Sequence, residues 1–181
     1  MPKENRKGKA TTLTSEQIDR LIELASPRYK PIFALAAFTG CRISEALTRK
    51  VKHIDLISGG VTFTETKTKV DRTVPISSKL RSILVKCNFS SSPEDWLFPS
   101  PKTSGHVTRV SVGEELKALC DDLGYVGVST HSFRRSLATT LHDKGTPLKT
   151  IASVTGHRSL DSLARYIDVT LSQQKTAVDL L

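Results

Sequence analysis

Apolar residues recur at helical spacing through most of this chain and alternate over one short central stretch. Ile18, Leu21, Ile22 and Ala25 share one face of a first helix. Thr14 and Gln17 are spaced as a capping box before it, Leu13 and Ile18 as a hydrophobic staple, and Pro27 stops it. From Pro31 to Thr39 the residues are apolar on every side, which predicts a central buried helix entered at Pro31 and left at Gly40. Arg42 then opens a short helix with Ile43, Ala46 and Leu47 inward and Glu45 on its polar side. Residues 51–57, 61–66 and 72–76 alternate or run in β-branched residues. They predict a small three-stranded antiparallel sheet, with turns at Gly59 and Gly60 and from Thr66 to Asp71.

Helical spacing returns after Ser77 or Ser78, with Leu80, Ile83, Leu84 and Cys87 inward. A long connection rich in Ser, Pro and Gly follows, anchored by Trp96, Leu97 and Phe98. Further helices are predicted from Val110 to Leu123, ended by Gly124, and from His131 to Gly145, with Phe133, Leu137, Ala138 and Leu141 as the buried stripe. A short helix runs from Thr146 and Pro147 to Gly156, the next from Ser159 to about Ile167, and a last one spans 170–181. The fold class is therefore mixed α/β, mainly helical with a small three-stranded antiparallel sheet. One domain over 13–181 follows a flexible basic arm or linker stub at 1–12.

Charge sharpens this picture. The formal net charge is +9. Residues 1–9 hold four Lys or Arg against one Glu, and residues 42–86 hold ten against four acids, while the remainder balances. A surplus concentrated in this way points to a polyanionic partner, although a solvated basic surface is the plainer reading. Cys41, Cys87 and Cys120 are widely spaced with no C-x-x-C pair, so neither a disulfide framework nor a zinc site is indicated. No apolar run reaches the roughly 18 residues a membrane span needs, and the basic N-terminus leads into no signal-peptide core. A soluble, cytoplasmic protein without a membrane partner is expected.

Between His131 and Tyr166 four polar residues sit at spacings that core packing does not ask for: His131, Arg134, His157 and Tyr166. The first two lie three apart, on one face of a helix near its first turn. Unpaired amide hydrogens at a helix start and a guanidinium fork beside them suit an anion such as phosphate. Each residue also has a plainer explanation: His131 as a cap, His157 satisfying a buried carbonyl, Tyr166 as half-buried packing, and Arg42 in a local salt bridge with Glu45.

Joined in order, these residues resemble the signature of the tyrosine recombinase (phage integrase) family. His131 and Arg134 stand as H-x-x-R, Gly156 and His157 as G-H, and Tyr166 follows nine residues later. Thr39, Gly40, Arg42, Ser44 and Glu45 match the family's T-G-x-R-x-S-E box, and Lys67 falls at its hairpin lysine. The resemblance covers roughly residues 12–170 and fills six catalytic positions in order. Phe133 replaces the leucine frequent in H-x-L-R, a volume change a core absorbs. Family members commonly carry an additional N-terminal DNA-clasping domain. The chain is thus expected to be either a fragment of a longer integrase or similar to the minimal recombinases that invert promoters.

The resemblance implies a site-specific DNA recombinase that breaks and rejoins strands through a covalent 3′-phosphotyrosine, in integration, excision or inversion of a mobile element. Tyr166 is the implied nucleophile, Arg42, Arg134 and His157 stabilise the phosphate, and His131 is a base or orienter. Lys67 is the implied general acid, with Lys69 its rival because the turn can be registered two residues differently, and Glu45 supports the site. Lys69, Arg72, Arg135 and Arg158 are candidate DNA contacts. No metal or other cofactor is expected, since arginines carry the charge. The implied partners are double-stranded DNA and a tetramer of protomers on paired sites, a monomer without DNA, with Val178 to Leu181 docking on a neighbour or on its own domain. Two rivals remain: relaxation of the type IB topoisomerase kind, and a non-catalytic DNA-binding regulator on the same fold.

Overall fold

The computed structural model describes residues 10–64 and 71–164, together with 167, 174–175 and 178–179. Among these lie helices α1 (Ser15–Leu24), α2 (Lys30–Thr39) and α3 (Ile43–Leu47), then strands β1 (Ile54–Asp55), β2 (Gly60–Phe63) and β3 (Arg72–Pro75). Helices α4 (Ser78–Leu84), α5 (Arg109–Leu123), α6 (Thr130–Asp143), α7 (Leu148–Thr155) and α8 (Leu160–Ala164) complete the order. No helix among the described residues is long and apolar enough to cross a membrane.

Helix α2 is the hub. Its Ile32, Phe33, Leu35 and Ala36 are wholly buried because α1, α3, α4 and α6 pack around it. Phe33 meets Phe133 of α6 with ring centroids 5.4 Å apart, which fixes α6 against the hub. The capping box of α1 is present: Thr14 Oγ1 accepts from the Gln17 amide at 3.2 Å, and Gln17 Oε1 accepts from the Thr14 amide at 2.9 Å. Helix α2 exits through Gly40 at φ 63°. A β-carbon at Gly40 would lie 2.8 Å from Thr155 Cγ2 and 3.0 Å from Leu137 Cδ2. Glycine here lets the α2 exit press directly against α6 and α7, and the T-G-x-R box is thereby placed beside the later half of the signature.

The sheet is antiparallel in the order β1-β2-β3, with Val61 opposite Val74 and Phe63 opposite Arg72. Its first strand is shorter than the 51–57 predicted. Val51–His53 form a 3-10 turn instead. The amides of Val51 and Lys52 are taken by the carbonyls of Asp95 and Pro93, and the Lys50 amide by His53 Nδ1, so only Ile54 and Asp55 remain to pair. The anchoring expected of residues 96–98 is realised here, since the Leu97 amide bonds the Arg49 carbonyl and Leu97 and Phe98 are buried.

Residues 10–12 also differ from expectation. Thr11 bonds the carbonyls of Gly127 and Val126, and Arg135 Nη1 donates to the Ala10 carbonyl at 2.8 Å, so this end of the expected arm is tied to the domain. The three cysteines are unbridged, and burial pushes the Cys41 thiol up to about 11, so it behaves as a small apolar group. A second, smaller core of Ala138, Ile151 and Leu163 joins α6, α7 and α8, with Ile167 packed on it. The last helix predicted, over 170–181, lies mostly outside the described residues, and Val178 is exposed.

Candidate functional site

Arg134, on α6, is almost completely buried, at 3% exposure. Its Nη1 donates to the Gly40 carbonyl at 2.8 Å and to the Thr155 carbonyl, and its Nε donates to His157 Nε2 at 3.3 Å. One guanidinium therefore ties the exit of α2 to the end of α7. The Arg42 box and the Gly156–His157 turn, far apart in sequence, meet at this side chain.

His157 follows Gly156, whose φ of 74° turns the chain out of α7. Thr155 Oγ1 donates its own proton to the Ile151 carbonyl at 2.6 Å, so the 2.7 Å bond between Thr155 Oγ1 and His157 Nδ1 is donated by the ring. Nε2 accepts from Arg134, which assigns the neutral tautomer protonated on Nδ1. Burial, followed by the charges of Arg134, Arg42 and Arg72, pushes the imidazole down to about 4, with Glu45 opposing. In this arrangement His157 orients Arg134, and a hydrogen bond from Nε2 to a phosphate requires that nitrogen to gain a proton. Adjacent developing negative charge favours that gain.

Arg42 is held differently. It occupies the N-cap of α3, with its amide donating to Glu45 Oε2 at 2.8 Å and its Nη1 to Glu45 Oε1 at 2.7 Å. Its side chain is 45% exposed. The local salt bridge weighed as the plain reading thus exists, and it leaves much of the guanidinium open to a ligand. Burial raises the Glu45 pKa, but the amide and guanidinium of Arg42 and the charge of Arg72 outweigh it and hold the carboxylate ionised. Glu45 therefore bonds Arg42 through both carboxylate oxygens and lies 3.5 Å from Arg72 Nη2.

His131 lies in the first turn of α6 and is exposed. Desolvation by the surrounding protein, then Arg109, Arg134 and Arg42, lower its pKa, so near neutral pH it is an uncharged imidazole able to accept a proton. Arg134 bonds both the Gly40 carbonyl, two residues before Arg42, and the His157 ring, and His131 lies one turn before it on α6, so the four groups belong to one region. A groove of about 470 Å³ runs beside it between β3 and the end of α7, lined by Arg72, Val74, Gly156, His157 and Arg158.

The remaining candidates divide. Lys67, Lys69 and Tyr166 lie outside the described residues. Arg158 is exposed next to His157. Arg135 is half-buried and holds the Ala10 carbonyl, so its guanidinium ties the N-terminal segment down instead of standing free for DNA. Arg72 is nearly enclosed, at 13% side-chain exposure, over the Phe63 ring at 4.6 Å. As the cross-strand partner of Phe63 it shares that residue's inward face, which is why it is not spread on the surface as a DNA contact.

Sequence reasoning missed Arg49, which is 5% exposed. Its Nε donates to the Glu45 carbonyl at 2.9 Å, its Nη1 to the Thr62 carbonyl and Thr64 Oγ1, and its Nη2 to Thr48 Oγ1. It braces the Glu45 turn against β2. The signal available was its position four residues after Glu45, just past the end of α3, where a basic side chain can reach back to the helix's last carbonyls. Thr155, which sets the tautomer of His157, carried no signal beyond standing two residues before it.

The family model described as the phage integrase family matches residues 11–173. Tyrosine recombinase XerA of Pyrococcus furiosus is 29% identical over 174 residues, 93% of this chain and 60% of that protein. A crystal structure of XerA recombinase superposes with a TM-score of 0.78 at 20% identity, covering 97% of this chain and 66% of the other. The Tn1549 transposon integrase, solved in complex with a circular intermediate DNA, gives a TM-score of 0.78 at 15% identity over 97% of this chain and 67% of the other. The chain spans about half the length of the curated relatives it matches.

Proposed function

This chain belongs to the phage integrase family, and from that premise we propose that it is the catalytic domain of a site-specific DNA recombinase. The observation that carries the proposal is Arg134, whose one guanidinium joins the Arg42 box to the His157 turn. Two arginines and two neutral imidazoles around one region suit a phosphodiester whose non-bridging oxygens gain charge during substitution.

The reaction is written as follows. The Tyr166 phenol, with an unperturbed pKa of about 10, loses its proton as it attacks phosphorus, with His131 as base or orienter. A tyrosyl–phosphorus bond forms to the 3′ side and the bond to the 5′ oxygen breaks. Lys67, or Lys69 by the alternative register, protonates the departing 5′ oxygen. Arg42 supplies an exposed fork and Arg134 a fixed one, while the neutral His157 ring holds Arg134 in place through Nε2. The phosphotyrosyl ester conserves bond energy, so a 5′ hydroxyl from a second strand reverses the step without ATP. In this reading four protomers exchange strands between two duplexes, and the Tn1549 integrase, solved in complex with a circular intermediate DNA, supports DNA as the partner.

The test begins with duplexes selected from a random pool by binding to the chain. These are nicked near the centre of the bound site, incubated with protein and run on a denaturing gel. A covalent adduct that disappears in Tyr166→Phe while binding persists is the expected result. Selected DNA that binds and never forms an adduct overturns the enzymatic reading and favours the regulator. Relaxation of supercoiled plasmid without exchanged strands favours the topoisomerase reading.

A further inference from the structure

Arg72 stands out among the described side chains. It is a charged residue placed by strand alternation on the inward face of β3, the same face as the buried Val74. Its Nε and Nη2 are buried without a hydrogen-bond acceptor, and among the described residues the carboxylate paired with it is Glu45, at 3.5 Å from Nη2. Enclosing a guanidinium with so few acceptors is costly, and an apolar residue would fill the space more favourably. A surface role is equally disfavoured, because the group is closed off by Phe63 on one side and by the Gly156 turn on the other.

The glycine makes the fit specific. A β-carbon on Gly156 would lie 2.6 Å from Arg72 Cζ and closer still to Nη1. The guanidinium plane therefore occupies the space that a side chain at residue 156 would need. The positive φ of Gly156 alone explains a preference for glycine, but it does not explain why a charged group is pressed into that gap.

We propose that Arg72 is a positioning residue of the cleavage site: wedged between Phe63 and Gly156 and paired with Glu45, it locks the sheet, the Arg42–Glu45 pair and the His157 turn into one rigid block. This deepens the recombinase reading above and rests on it. Through Glu45 it steadies Arg42, and through Gly156 it sets where the His157 ring meets Arg134.

Three measurements on Arg72→Met and Arg72→Lys test this, using the full chain and the selected, nicked duplexes. Adduct formation in Arg72→Met is expected to fall by about tenfold to a hundredfold. DNA affinity should change by less than about twofold, because the group faces the protein. Arg72→Lys retains the charge but not the plane, and should bind DNA as the unsubstituted chain does while recovering cleavage only in part. The third readout needs no activity. His157 is surrounded by Arg134, Arg42, Arg72 and Glu45, so loss of Arg72 should move its imidazole titration, followed by NMR, upward, and Lys should move it less. Thermal unfolding of both variants checks folding, and if Arg72→Met does not fold, the Lys variant decides through its cleavage-to-binding ratio and its titration. Affinity falling in step with cleavage overturns the proposal in favour of a DNA contact, as does unchanged cleavage with an unchanged His157 titration. A wild-type chain that makes no adduct defeats the recombinase reading instead, while the titration still reports whether Arg72 holds the turn.

Discussion

The two sides of the site are built on opposite principles. On the α6–α7 side, Arg134 is buried and bound to carbonyls 94 and 21 residues away in sequence. On the α3 side, Arg42 is half in solvent and bound to a carboxylate three residues on. The first arrangement exists only in the folded domain and helps hold it together. The second is close to what a capped helix start makes locally, and it leaves part of the guanidinium exposed to solvent. Arg49 sharpens the contrast: as buried as Arg134, it is bonded to protein oxygens at all three of its nitrogens, and its work is structural.

If that contrast is right, removing the two arginines should separate stability from chemistry. Arg134→Ala is expected to have the largest effect, lowering adduct formation by about a thousandfold and destabilising the domain by about 3 kcal/mol, because two carbonyls lose their donor. Arg42→Ala should lower adduct formation by about a hundredfold while moving stability by less than about 1 kcal/mol, as expected of a partly exposed ion pair. Chemical denaturation beside the gel assay checks both, and equal destabilisation by the two substitutions would break the comparison. Gly40→Ala strains a left-handed residue and crowds Thr155, so a loss of about 1–3 kcal/mol is expected, with cleavage reduced through displacement of Arg134. Glu45→Gln keeps shape but loses charge, so a smaller fall in cleavage, about fivefold to tenfold, is expected, with DNA binding unchanged or slightly tighter.

The smallest effect is on pH. His157 has its native pKa depressed from 6.5 to about 4, so between those values the unfolded chain binds a proton that the folded chain refuses. Stability from this group is therefore complete above about pH 6.5 and is lost as pH falls toward 4. His131 and His53, also depressed, act in the same direction. Thermal melts at pH 7 and pH 5 should show a lower midpoint at pH 5, and His157→Asn should narrow the gap. A gap unaffected by that substitution would mean the ring is not held neutral as its bonds indicate.

Much of this was readable before any coordinates. The helix pattern around α1, α2, α5 and α6, the Thr14 capping box, the glycine exits at Gly40, Gly124 and Gly156, and the antiparallel sheet follow from local spacing, because caps, turns and amphipathic faces are decided by near neighbours in the chain. The signature residues were likewise named from their order, and Arg42 with Glu45 was legible as a pair because three residues on a helix bring them together. Local spacing did not reveal that residues 51–53 surrender their strand to the 93–97 loop, that Arg135 ties down Ala10, or that Arg72 turns inward. Each of those depends on a partner far away in sequence. The sequence determined which groups are present and which local element carries each one. The tertiary structure decided which guanidinium is buried, which proton His157 keeps and what Arg72 presses against, because burial and hydrogen-bond partners belong to the packed chain and not to any stretch of it.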